Sequence, residues 1–272
     1  MKRIAIIPTL LTLGNAICGF AAIVFASKID PSHAGTSIYF AVSAWLILGA
    51  MVFDGLDGYA ARLSKTASDF GGQLDSLCDA ISFGVAPAFL LIRLGQDWEL
   101  PVVRQALAVI ATLYMACAIL RLARFNVENT PDPASHKRFK GLPSPGAAGC
   151  LASLGILRGG LDYTWIMLDP AKVHAFVTSW APLGALLVAL LMVSRIPYPH
   201  VTKQILRGRR HFRHLVQVLL LVCLLVVTHE FALFLLFWGY ALSMPVRYLL
   251  YRSVRAHSLA NSKPGLDEGV PR

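Results

Sequence analysis

Long apolar runs broken by short polar connections organise the chain from its first residues almost to its last. Eight stretches are apolar and long enough to be read as spans: about 5–27, 36–53, 74–95, 102–122, 144–159, 175–194, 214–229 and 231–247. A bilayer core needs roughly 20 apolar residues per helix. The fifth and seventh stretches are short, which fits a tilted or partly interfacial helix. Apolar residues fill these runs on all sides rather than at amphipathic spacing, so the expected fold is all-α, a polytopic transmembrane helix bundle. Lys2 and Arg3 before the first run resemble the start of a signal peptide, but its length, and Thr12 and Asn15 in its middle, argue for a retained helix. No internal repeat or second domain is visible. The expected division is a membrane domain over residues 1–255 and a disordered cytoplasmic tail over 256–272, where periodicity is lost.

Composition agrees with this pattern. The 272 residues are 56% hydrophobic and only 15% charged, with a mean hydropathy of +0.60, whereas a soluble domain carries about 25% charged residues. A soluble enzyme, a disordered chain and a nucleic-acid-binding domain are therefore excluded as readings. The odd set of cysteines (Cys18, Cys78, Cys117, Cys150 and Cys223) lies inside apolar stretches, without a C-x-x-C pair, and fits neither a disulfide framework nor a zinc site.

The net charge of +10 is a matter of orientation. With the N-terminus in the cytoplasm, 20 of the 25 basic residues fall in cytoplasmic connections or the tail. That asymmetry predicts an even number of spans and two cytoplasmic termini in a multi-pass protein of the cell or inner membrane. The basic collar from Lys203 to His214 reads as a topology signal touching anionic lipid.

Four acidic residues stand out because they flank apolar runs: Asp54 and Asp57 at the end of one, Asp75 and Asp79 at the start of the next. Carboxylates at such depth are costly unless paired or metal-bound, which makes function the default reading. Asp54, Asp57, Gly58, Ala61 and Arg62 share one face of a helix, and Gly71, Asp75 and Asp79 share one face of the next. The connection between the helices is short enough to make them antiparallel neighbours. The acids then converge on one volume suited to Mg²⁺, Mn²⁺ or Ca²⁺. The small residues leave room for close approach of a ligand, and the planar fork of Arg62 suits a phosphate. These features predict metal-assisted chemistry on a phosphorylated lipid.

The run Asp54-Gly-Leu-Asp57-Gly58-Tyr-Ala-Ala61-Arg62, then Gly71, Asp75 and Asp79, resembles the signature of the CDP-alcohol phosphatidyltransferase family without a departure. The resemblance implies a six-helix core, a homodimer, and a site open to the cytoplasm. It implies that Asp54, Asp57, Asp75 and Asp79 hold one or two Mg²⁺ or Mn²⁺ ions, with Asp79 also the general base. Gly58, Ala61 and Arg62 would contact CDP-diacylglycerol, joined by Gly71, Ser68, Thr12 and Asn15; for the last two, ordinary helix packing is an equal alternative.

Arg121-Leu-Ala-Arg124-Phe-Asn126 and Phe139-Lys140-Gly141-Leu142-Pro143-Ser144-Pro145 resemble the phosphatidylserine synthase branch, as do Ile7–Asn15 and Ser82–Ala88. By that resemblance the acceptor is L-serine and the products are phosphatidylserine and CMP. Arg121, Arg124 or Lys140 would bind the serine carboxylate and Asn126 the ammonium. Pro143 and Pro145 are read as restricting the chain before a helix. The alternative acceptor is glycerol 3-phosphate or an inositol phosphate, and the rival from another class is an ion channel or transporter, whose acids would be spread along a pore.

Overall fold

The computed structural model describes residues 6–30, 32–64, 69–96, 98, 100–128, 141–160, 169–196, 198 and 229–261. Among them every element is helical: α1 (Ile6–Ser27), α2 (Ile38–Ser64), α3 (Asp69–Asp79), α4 (Ala86–Leu94), α5 (Pro101–Glu128), α6 (Ser144–Gly159), α7 (Pro170–Val193) and α8 (His229–Asn261). A π-helical segment, Ala80–Val85, joins α3 to α4 with right-handed helical backbone at both junctions, so the three form one rod. In lipid no water satisfies backbone groups, which leaves a buried-run sequence the helix as its outlet.

Among the described residues, six helical stretches are long and apolar enough to cross a membrane: Ile6–Ser27, Gly35–Ala61, Phe70–Leu94, Pro101–Val127, Pro170–Val193 and Glu230–Tyr248. Their outward faces remain apolar; Ile17 and Phe20 on α1 are 67% and 64% exposed. A water-soluble bundle would turn such side chains inward, so this is the surface of an integral membrane protein.

The helices depart from the apolar runs in informative ways. The second run ends at Phe53, but α2 continues to Ser64 and carries Asp54 and Asp57 inside it. The fourth run extends from 122 to Glu128. The fifth, α6, is not interfacial: it is short because it is the centre of the molecule, buried from Ala147 through Leu157. It packs against α2, α4, α7 and α8, and its small residues allow that close approach. The expected 214–229 span lies outside the described residues except for its last position, where α8 begins, and 262–272 lie outside them too. The boundary expected at 256 falls within α8.

Helix starts follow local chemistry. Asp169 caps α7 by accepting from Ala171 N at 3.0 Å, with Pro170 in the first turn where its missing N–H costs nothing. Two of the prolines inside spanning rods, Pro87 and Pro245, leave a carbonyl without its usual donor four residues back. In both cases a tyrosine from another element supplies it. The Tyr114 hydroxyl donates to Phe83 O at 3.0 Å behind Pro87, and the Tyr198 hydroxyl donates to Ala241 O at 2.9 Å behind Pro245. Tyr114 is fully buried. A polar group taken so deep is explained by the carbonyl it satisfies.

Gly141 ties the start of α6 to the end of α7. Its φ of +94° is open to glycine, and a Cβ there would run into the Met192 carbonyl. Gly141 N donates to Ile196 O at 2.8 Å and Leu142 N to Leu191 O at 3.0 Å. These bonds pin the start of α6 to the last turn of α7 and to the chain just beyond it.

Candidate functional site

The acids meet where α2 ends and α3 begins. One ligand oxygen each from Asp54, Asp57 and Asp75 lies within 4.8 Å of the others. Asp57 is only 5% exposed. Its Oδ2 and the Oδ1 of Asp75 are buried without a hydrogen-bond partner. Orphaned carboxylate oxygens packed this closely repel one another in a low dielectric, and a divalent cation relieves both defects. The donor set is all oxygen, as Mg²⁺ and Mn²⁺ require. The residues present therefore fit such an ion.

Asp79 stands apart from this trio. Its Oδ1 accepts from Asn15 Nδ2 at 2.9 Å, and both residues are buried. It remains close enough to Asp54 and Asp75 for their charges to act on it. The Asn15 backbone is itself held, because its main-chain carbonyl accepts from the Ser82 hydroxyl at 2.9 Å. Ser82 lies in the π-helical segment directly after Asp79. Such segments recur at functional sites because the extra residue re-aims its neighbours. Thr12, one turn before Asn15, donates to Pro8 O at 3.0 Å and lies beside the Asp57 carboxylate. In this arrangement α1 supports the acids from behind: Asn15 holds Asp79 and Thr12 flanks Asp57.

That support depends on how closely α1 approaches. A Cβ at Gly19 would sit 2.7 Å from Ser82 Cα, a backbone atom that cannot swing away. Gly19→Val is expected to push α1 off the π-helical segment, costing about 1–3 kcal/mol as overpacking does. Turnover should fall with it as Asn15 leaves Asp79. Melting in detergent and a turnover assay check this; a valine variant with wild-type values for both contradicts the packing described.

A cavity of about 510 Å³ opens beside the acids. Asp54, Asp75 and Asp79 line one side, together with Gly72, Gln73 and Ser76; Arg121, Leu122, Phe125 and Asn126 of α5 line the other, with Pro145 of α6. Arg121 is close enough to Asp79 for the two charges to interact, and its Nη1 donates to Ser144 Oγ at 2.8 Å. Asn126 Nδ2 donates to Ser76 Oγ at 2.8 Å, which bridges α5 to α3 across the cavity.

The expected site residues thus divide into groups. Asp54, Asp75, Asp79, Arg121 and Asn126 line the cavity, and Asp57 sits behind it in the acid trio. Gly58, Ala61 and Gly71 are partly buried on the acid-bearing helices but do not line the cavity. Arg124 is partly buried on α5 and does not line the cavity. The Arg62 side chain, Ser68 and Lys140 lie outside the described residues.

Sequence reasoning missed Ser76, Gln73, Phe125 and Ser144. Ser76 follows Asp75 directly and Phe125 precedes Asn126, so adjacency to motif residues was the available signal. Ser144 lies between Pro143 and Pro145, and no local spacing marks its hydroxyl as a partner of Arg121.

The sequence model of CDP-alcohol phosphatidyltransferases matches residues 5–245. The chain is 37% identical over 198 residues to the CDP-diacylglycerol–serine O-phosphatidyltransferase of Helicobacter pylori, covering 72% of this chain and 73% of that protein. It is 34% identical over 197 residues to the protein of the same name from Bacillus subtilis, covering 72% and 92%. It is also 34% identical over 199 residues to the archaetidylserine synthase of Methanothermobacter thermautotrophicus, covering 72% and 70%. The match runs through every helix that builds the acid trio and the cavity, and the chain belongs to the CDP-alcohol phosphatidyltransferase family.

Proposed function

We propose that this protein transfers the phosphatidyl group of CDP-diacylglycerol to the hydroxyl of L-serine, giving phosphatidylserine and CMP. The observation that carries the reading is a cavity with carboxylates on one wall and Arg121 on the other. One wall would hold a divalent ion beside the donor's pyrophosphate, and the other suits a small acceptor bearing a carboxylate. The names of the relatives support serine as that acceptor: proteins named for phosphatidylserine and for archaetidylserine formation resemble the chain to similar degrees.

In the proposed step the serine oxygen attacks the phosphorus that carries diacylglycerol. A new P–O bond forms, the P–O bond to CMP breaks, and the serine proton passes to Asp79. Asn15 fixes one oxygen of Asp79, so the base is already oriented before substrate arrives. Arg121 and Asn126 hold the acceptor against it, and this placement supplies proximity; Arg124 and Lys140 are the further candidates for the serine carboxylate. Gly58, Ala61, Arg62, Gly71 and Ser68 form the nucleotide side, with Thr12 behind Asp57. Asp54, Asp57, Asp75 and Asp79 are the groups that hold Mg²⁺ or Mn²⁺. When bound, such an ion supplies polarisation of the pyrophosphate and offsets the charge of the departing nucleotide.

Residues 1–255 act as one membrane domain, paired as a homodimer, with the site on the cytoplasmic side. The charge asymmetry of the connections supports that orientation.

The test is purified protein with CDP-diacylglycerol, Mn²⁺ and either labelled L-serine or labelled glycerol 3-phosphate. Labelled lipid and CMP are expected with serine. Lipid formed from glycerol 3-phosphate alone would replace serine with the phosphorylated acceptor, and CMP release with neither acceptor would remove the transferase reading.

A further inference from the structure

We infer that Ser144 is a positioning residue for the acceptor: it holds the Arg121 guanidinium in register with the acceptor carboxylate. The inference rests on the acceptor reading given above. Arg121 is a long, flexible side chain that reaches the cavity from α5, and Ser144 Oγ takes a hydrogen bond from its Nη1 at 2.8 Å. The serine is fully buried at the first residue of α6. A hydroxyl removed from water so completely is retained when it has a partner, and here that partner is the guanidinium.

The anchor itself is rigid. Pro143 and Pro145 bracket Ser144, and Ala147 N closes the first turn on Pro143 O at 2.9 Å. Just upstream, Gly141 and Leu142 are bonded to the end of α7. The position of Ser144 is thus set by two helices that carry no acid of the site. Arg121 needs such a tether because Asp79 lies within electrostatic reach. An untethered guanidinium would be drawn toward the base, occupying it and leaving the acceptor carboxylate without its partner. Tying one end of the planar fork to Ser144 keeps the positive charge at the acceptor end and the base free.

The experiment compares Ser144→Ala, Ser144→Thr and wild type in steady-state assays with L-serine and with serinol, which has the hydroxyl and amine but lacks the carboxylate. Losing the tether should raise KM for serine about tenfold, since one charge-assisted hydrogen bond of positioning is at stake. The turnover number should stay within about twofold. Use of serinol, which does not meet Arg121 through a carboxylate, should be unchanged, and threonine should restore the serine KM. An unchanged KM for serine in Ser144→Ala, or an equal loss with both acceptors, overturns the inference. Ser144→Cys keeps the volume but offers a weaker acceptor, and it is read by the same KM shift should the alanine variant fail to fold. Wild-type protein that makes no serine lipid would instead overturn the acceptor reading itself.

Discussion

Asp79→Asn is expected to reduce turnover by about two to four orders of magnitude, the usual contribution of a positioned general base, while CDP-diacylglycerol still binds. The substitution is nearly isosteric, and its side chain retains an oxygen that can accept from Asn15, as Asp79 Oδ1 does at 2.9 Å. The packing around this 8% exposed site should therefore survive. What disappears is an oxygen able to take a proton. Rate measurements with saturating serine, alongside equilibrium binding of CDP-diacylglycerol, separate the two effects. Turnover within tenfold of wild type would remove Asp79 from the proton transfer. Loss of binding with an intact turnover number would reassign it to the nucleotide side.

The second large effect concerns the trio. Asp54→Asn should abolish turnover, and treatment of the wild type with EDTA should do the same reversibly, restored by Mg²⁺ or Mn²⁺. Stability should move in the opposite direction. Without an ion, oxygens from Asp54, Asp57 and Asp75 crowd within 4.8 Å, and two of the carboxylates bury an oxygen with no partner. Removing one charge relieves that repulsion, so the metal-free variant should be more stable than the metal-free wild type by about 0.5–2 kcal/mol, the scale of typical stabilising changes at functional sites. Adding Mg²⁺ should raise the melting temperature of the wild type by mass action and leave the variant nearly unmoved. Equal melting shifts in both proteins would mean that the ion does not bind at this trio.

Much of the site was written in local spacing. Asp54, Asp57, Asp75 and Asp79 recur at helical intervals on two runs joined by a short connection, so their convergence follows from helix geometry and chain length. The all-helical membrane fold was equally legible, because a lipid-facing chain has to satisfy its own backbone and the apolar runs state where. The apolar run ends at Phe53, but the helical spacing of Asp54, Asp57, Gly58, Ala61 and Arg62 already carries the helix past it, as α2 does to Ser64.

Other features were beyond the reach of spacing. The sequence brought the four acids together, and the fold adds that Asp79, within reach of the charges of Asp54 and Asp75, is held by Asn15, which is 64 positions away. Tyr114 and Tyr198 satisfying the carbonyls freed by Pro87 and Pro245, and Ser144 meeting Arg121, are likewise pairings of distant residues. Run length and period alone thus determined that this is a membrane bundle of helices with clustered carboxylates near one end. Which carboxylate is held as a base, and which guanidinium faces it, was decided by tertiary packing, because those roles depend on contacts between helices whose rotation and depth no local pattern encodes.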